Sequence, residues 1–199
     1  ADGIGMDSIW MSDHLCFRDS LTTAMALLAS TKKIKVAAAP MSPYSRNPII
    51  TAMSIATMEE FAPGRVIASP GTGNAAALKE AGMESPHPLQ TMREYVEILR
   101  RYLRGDTVNF HGKMFQVNGA KMGFVVSAAI RMYITAVRSR MLQLGGEIGE
   151  GVLLSAGCAP GYIQKCVGEI GAGAVKGGKS LGDVDVAGFV TAAVSDSAK

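Results

Sequence analysis

The sequence predicts an α/β fold with a parallel sheet, on three observations. Short apolar strand signals alternate with helix-length segments along the whole chain. Proline and glycine breakers such as Ala62-Pro63-Gly64 punctuate the joints. A composition of 48% hydrophobic and 19% charged residues over 199 positions is that of one globular domain with a sizeable core. Strand–helix alternation implies βαβ crossovers, and these make neighbouring strands parallel.

Ser8-Ile9-Trp10-Met11 is the first strand signal, followed by a polar loop and an apolar-periodic helix over Leu21 to Ala29, with Ser20 expected as its N-cap. Ile34 to Ala39 reads as a second strand, ended by Pro40. Asn47 caps a helix over Ile49 to Phe61, with Pro48 in its first turn. Arg65 to Ser69 is the third strand; the loop Gly71-Thr72-Gly73 then leads to a short helix ending near Gly82. From about Pro88 to Leu103 a long helix places Met92, Tyr95, Val96, Leu99 and Leu103 on one stripe.

The segment 107–117 alternates about His111-Gly112-Lys113, which predicts an inserted β-hairpin. Met132 to Ala136 is a strand, Arg140 to Ile148 a helix, and Gly151 to Ser155 a strand. Ile163 to Val175 reads as helical despite its glycines, and Val184 to Val194 is the last strand signal. The pattern fits an open doubly wound sheet or a closed barrel, and six strand–helix steps leave room for eight. Ala1 to Gly5 reads as the tail of a helix and Val194 to Ser197 follows a strand, so both ends are expected to be cut.

A formal net charge of +3, with 20 basic and 17 acidic residues interspersed, predicts no nucleic-acid or membrane-surface partner. Cys16, Cys158 and Cys166 have no metal-like spacing and read as free thiols. No apolar stretch approaches a spanning helix and no signal peptide is evident, which predicts a cytoplasmic protein. Three separated histidines without an H-x-x-x-H pattern argue against a metal, and the lack of G-x-S-x-G argues against a serine hydrolase.

In parallel α/β folds ligands bind at the carboxyl ends of the strands. Asp13-His14 follows the first strand; a histidine there is a general base or a hold on a cofactor carbonyl, or else a surface histidine. The small residues Ala38-Ala39 before Pro40 leave room for a planar ring, or for close helix packing, and the proline is a candidate for a cis bond. Gly71 to Ala76 matches G-x-G-x-x-A, a dinucleotide-binding fingerprint, but two strand–helix units precede it and the expected acidic partner, Glu94, falls inside a helix. Arg138-Ser139-Arg140 and Ser155-Ala156-Gly157 precede late helices, where backbone N–H groups hold phosphate or are simply capped.

Taken in order, Gly5 to His14, Pro43 to Pro48, Gly64-Arg65-Val66, Gly71 to Asn74, Gly119 to Met122, Tyr133 to Ala136 and Gly149 to Val152 resemble the luciferase-like monooxygenase superfamily. Within it they are most similar to the deazaflavin (F420)-dependent oxidoreductases related to methylenetetrahydromethanopterin reductase. The resemblance spans nearly the whole chain. It implies one partial (β/α)8 TIM barrel over 1–199, lacking its N-terminal strand and C-terminal part, and a homodimer. It also implies that coenzyme F420, or alternatively FMN, binds at the strand ends and that an organic small molecule is the substrate. Carried over by position, His14 is catalytic and Asp13 contacts the ring. Ala39 and Pro40 form a cis-peptide bulge behind that ring, and Val137, Arg138, Ser155 and Gly157 hold the phosphate.

The chain departs from the F420-dependent sugar-phosphate dehydrogenases at Asn74, where they carry a glutamate, and some relatives have a diglycine at Val137-Arg138. The leading expectation is hydride transfer between F420 and an organic substrate. The alternatives are an FMN-dependent monooxygenase using O₂ and a non-catalytic flavin-binding barrel.

Overall fold

The computed structural model describes residues 2–124, 126 and 129–189. After a 3₁₀ turn at Asp2–Ile4 the elements are β1 (Ser8–Ser12), α1 (Ser20–Ser30), β2 (Lys35–Met41), α2 (Pro48–Phe61), β3 (Val66–Pro70), α3 (Ala75–Glu80) and α4 (Pro88–Leu103). The hairpin strands β4 (Val108–His111) and β5 (Gln116–Ala120) follow. Then come β6 (Arg131–Thr135), α5 (Ser139–Ile148), β7 (Gly151–Leu154), α6 (Pro160–Lys176) and β8 (Asp185–Gly188). Six strands form one parallel sheet in the order β1-β2-β3-β6-β7-β8, and β4 and β5 pair antiparallel outside it.

The two faces of the sheet are told apart by alternation along each strand. Val36, Ala38, Ala68, Met132, Ile134, Val152 and Leu154 lie under the helices in the main core. Ala37, Ile67 and Tyr133 point the other way, with Trp10 and Ala187 against them. The Trp10 and Tyr133 rings meet edge to face at 5.1 Å, and the Arg131 guanidinium sits 5.3 Å from the Tyr133 ring centre. Helices on one face and a narrow aromatic-lined inner face make a curled half-barrel of the (β/α)8 type.

Three details differ from the sequence reading. Asp19, not Ser20, caps α1: its Oδ1 accepts from the N–H and the hydroxyl of Thr22, both at 2.8 Å, while Ser20 is the buried first helical residue. Pro40 does not end β2. The strand runs through it to Met41 with a register shift between Ala38 and Met41, and the Ala39-Pro40 peptide is cis. The last strand is assigned over Asp185–Gly188 only, and positions 190–194 of the expected segment lie outside the described residues.

Gly173 of α6 and Gly146 of α5 have a packing reason. A Cβ on Gly173 would stand 1.9 Å from the Gln143 carbonyl oxygen, and one on Gly146 would stand 2.1 Å from that of Ile170. Helices α5 and α6 therefore touch backbone to backbone, and helix propensity gives way to that fit.

The hairpin is held by α4. Glu94, 3% exposed, accepts from the backbone N–H groups of Lys113, Met114 and Phe115 at 2.8, 2.8 and 3.1 Å, and from Gln90 Nε2 at 2.7 Å. Burial works against its charge. The hydrogen bonds from Gln90 and the hairpin outweigh that and keep the carboxyl below its ordinary range.

Candidate active site

Parallel strands send all their carboxyl-terminal loops to one end of the sheet. There Asp13 and His14 after β1, Pro40 and Ser42 at β2, Thr72 to Asn74 after β3, Thr135 to Arg140 after β6, and Ser155 and Ala156 after β7 line one cleft of about 1410 Å³. The α3–α4 connection, with Ser85, His87 and Gln90, forms a further wall. Single small-molecule sites commonly measure about 300–1,000 Å³, so this cleft has room for two bound molecules.

His14 is exposed at the mouth, its ring edge-on to Phe17 at 5.1 Å. Its Nδ1 lies 2.8 Å from the Leu15 carbonyl oxygen. That oxygen can only accept, so Nδ1 carries a proton, and the tautomer this contact selects has its lone pair on Nε2. Beside it, Asp13 accepts two hydrogen bonds from Arg46, from Nε and Nη2 at 2.9 Å each, and its own N–H donates to Ala39 O at 3.0 Å. Arg46 Nη2 also bonds Asp19. Hydrogen bonds to Asp13 and then Asp19 raise the guanidinium above its usual range, against burial.

The floor is the junction of β2, β3 and β6. Gly71 donates its N–H to Met41 O at 3.1 Å and bridges to Thr135. Ser69 Oγ bonds Tyr133 O at 2.9 Å and Thr135 Oγ1 at 3.0 Å. Pro40 is on the cleft wall; Ala39 is fully buried behind it and does not line the cleft.

At the late loops, Val137, Arg138 and Arg140 are exposed into the cleft, and Tyr162 donates its hydroxyl to Val137 O. Ser155 joins them. Gly157, with φ +69°, is in the same loop but off the cleft wall. Helices α1, α2 and α3 are capped by Asp19, Asn47 and Asn74, whereas α5 and α6 have no side-chain cap bond. The α5 end therefore offers first-turn N–H groups to a ligand, with two arginines beside them.

The glycine loop is different. Asn74 Oδ1 accepts from Ala76 N at 2.9 Å and Ala77 N at 3.4 Å, taking the donors that a pyrophosphate would need. Glu94, the acidic partner of that fingerprint, is engaged by the hairpin. The dinucleotide reading ends there.

Sequence reasoning gave no role to Arg46, Thr135 or His87. Arg46 sits just before a cap-and-proline helix start, a recognisable place, but its partners are 27 and 33 positions away. His87, in the left-handed region at φ 49°, lines the wall opposite the strand ends. Among the described residues no group of three or more His, Cys, Asp or Glu converges to hold a metal, and no helix is long and apolar enough to cross a membrane.

The geometry can be set beside known proteins. A 5,10-methylenetetrahydromethanopterin reductase of Methanolobus tindarius is 36% identical over 100% of this chain and 61% of its own length. An F420-dependent glucose-6-phosphate dehydrogenase of Nocardia farcinica is 31% identical over 93% of this chain and 60% of its own. The solved coenzyme F420-dependent tetrahydromethanopterin reductase of Methanopyrus kandleri superposes with a TM-score of 0.88 at 29% identity, covering 94% of this chain and 58% of that one. The chain thus spans about three-fifths of the length of the relatives it matches. The family model described as luciferase-like monooxygenase matches residues 1–199. Fold, cleft and sequence agree: the chain belongs to the luciferase-like monooxygenase family.

Proposed function

We propose that this chain carries the cofactor and substrate cleft of an F420-dependent oxidoreductase. The observation that carries the reading is the composition of the cleft at the strand ends. His14 presents a free Nε2, while Arg138, Arg140 and the uncapped α5 N-terminus make a cationic end. Asp13, the carboxylate on that wall, is paired with Arg46. An elongated anion with a planar head fits such a lining: the phosphate lies against Arg138, Ser139, Arg140 and Ser155, and the ring lies by Pro40 and the Asp13 turn.

F420, when bound, supplies or accepts the hydride. The protein's part is orientation, exclusion of water and proton management. Pro40 and Thr135 line the cleft, and Gly71 is packed between them beneath its surface. His14 holds or moves a proton at Nε2, its other nitrogen being fixed by Leu15 O. The names of the relatives make a methylene-tetrahydropterin the first substrate to assay. Asn74 in place of a glutamate weighs against a sugar phosphate.

We further read the protein as a cytoplasmic homodimer that binds neither nucleic acid nor membrane. Helix α1 bears no charged residue, and α2 exposes Ile50, Met53 and Phe61 on its outer face. The uncharged helix α1 and the adjacent outer face of α2, uncharged apart from exposed Glu60, support burial against a second copy. Free Cys16, Cys158 and Cys166 support a reducing compartment.

Titration with F420 and, separately, with FMN, followed by cofactor fluorescence, tests the reading. F420 alone should bind tightly. Tight binding of FMN alone would move the assignment to an FMN-dependent monooxygenase, and binding of neither would leave the cationic end without its ligand.

A further inference from the structure

The loop that carries His14 is gripped at both ends by one side chain. Asp13, whose side chain is 11% exposed, starts the loop and receives the Arg46 fork, Nε and Nη2, at 2.9 Å each. Asp19 ends the loop, caps α1, and bonds the same Nη2. Between them, Phe17 N–H donates to His14 O at 3.2 Å, His14 Nδ1 faces Leu15 O, and Cys16 turns the chain at φ 68°. Arg46 itself is rigidly based, since its N–H donates to Ser42 O at 3.0 Å and the next residue, Asn47, caps α2.

An exposed ion pair contributes little on its own. This one is a bidentate fork on a mostly buried carboxylate, which fixes geometry as well as charge. It joins the end of β1, the start of α1 and the start of α2 through one planar group. Removing it would free a loop that β1 and α1 otherwise hold only at its outer ends.

We propose that Arg46 is the positioning residue for His14: by cinching Asp13 to Asp19 it sets the loop that directs His14 Nε2 into the cleft. The proposal rests on the oxidoreductase reading for its catalytic consequence, but not for its structural one. Arg46 does not line the cleft. It acts through the loop. Lysine cannot reproduce the fork.

The test uses the full chain with Arg46→Met, Arg46→Lys and Asp19→Asn, the last of which keeps a capping side chain while removing one charge partner. The His14 tautomer is read by ¹⁵N-resolved NMR without cofactor, and kcat and KM are read with F420. Wild type should hold the Nδ1–H tautomer. Arg46→Met should lose that bias and lower kcat on the order of a hundredfold, a larger effect than on F420 binding, and the other two variants should fall between. A folded Arg46→Met protein with wild-type His14 resonances would overturn the proposal. A shifted tautomer in a protein that binds no F420 would support it and defeat the oxidoreductase reading instead.

Discussion

Gly71 stands so close to Pro40 that a Cβ on it would lie 2.6 Å from the Pro40 Cβ, with Thr135 Cβ at 2.8 Å on the other side. Neither neighbour is the end of a flexible side chain. One is a proline ring in a bulged strand and the other a β-branched residue of β6. Gly71→Ala should therefore act as overpacking at the cleft floor and cost about 1–3 kcal/mol. Thermal unfolding should show a lowered Tm, and a Tm equal to wild type would mean that the three strand ends are not packed this tightly.

Glu94 is the anchor of the β4–β5 hairpin. Glu94→Ala leaves the N–H groups of Lys113, Met114 and Phe115 without their acceptor. Each costs less than the roughly 1–3 kcal/mol of a fully buried unpaired donor, since water can reach the exposed Lys113 and the half-buried Met114 and Phe115. Hydrogen exchange should accelerate at those three amides while the amides of β6 stay protected. Uniform acceleration across both would show instead that the hairpin and the sheet open as one unit.

Acid should loosen the His14 loop through Asp19. Burial pushes that carboxyl up, but hydrogen bonds from Arg46 and Thr22 outweigh it and hold it at about 2, below the ordinary aspartate value. A group whose folded pKa is depressed adds stability that is complete above the unfolded value and lost as pH falls toward the folded one. Stability should thus decline between about pH 4 and pH 2 with an Asp19 component, and Asp19→Asn should flatten that part of the acid titration. An unchanged acid limb would show that Asp19 has no such partners.

Much of the fold was legible because its signals are local. Asn47-Pro48 marked the start of α2, and the stripe Met92, Tyr95, Val96, Leu99 and Leu103 is buried on α4 as its spacing demands. His14, Pro40, Arg138 and Ser155 were recoverable as cleft residues because a strand end is a local feature and parallel strands gather their ends together. What was missed depends on distant partners. Asp19 and Ser20 are both good caps, and Arg46 arriving from beyond β2 accompanies the choice of Asp19. Ala39 and Pro40 are neighbours, yet only Pro40 lines the cleft, because the bulge in β2 decides which residue faces it.

The cationic end of the cleft should be measurable apart from chemistry. Arg138→Ala with Arg140→Ala should weaken F420 binding and reduce its salt dependence, since two cations facing the cleft are lost. Isothermal titration at two ionic strengths reads both. Unchanged affinity in the double variant would move the phosphate elsewhere.

An anaerobic assay tests most directly the proposed hydride transfer on F420, with His14 managing the proton. Oxidation or reduction of F420 would be followed by absorbance with a methylene-tetrahydropterin as partner, in wild type and in His14→Ala. Wild type should turn over without O₂, and kcat should fall about 10²–10⁴-fold in the variant, with F420 still bound. Turnover that requires O₂ and FMN, or a His14→Ala protein as fast as wild type, would contradict it.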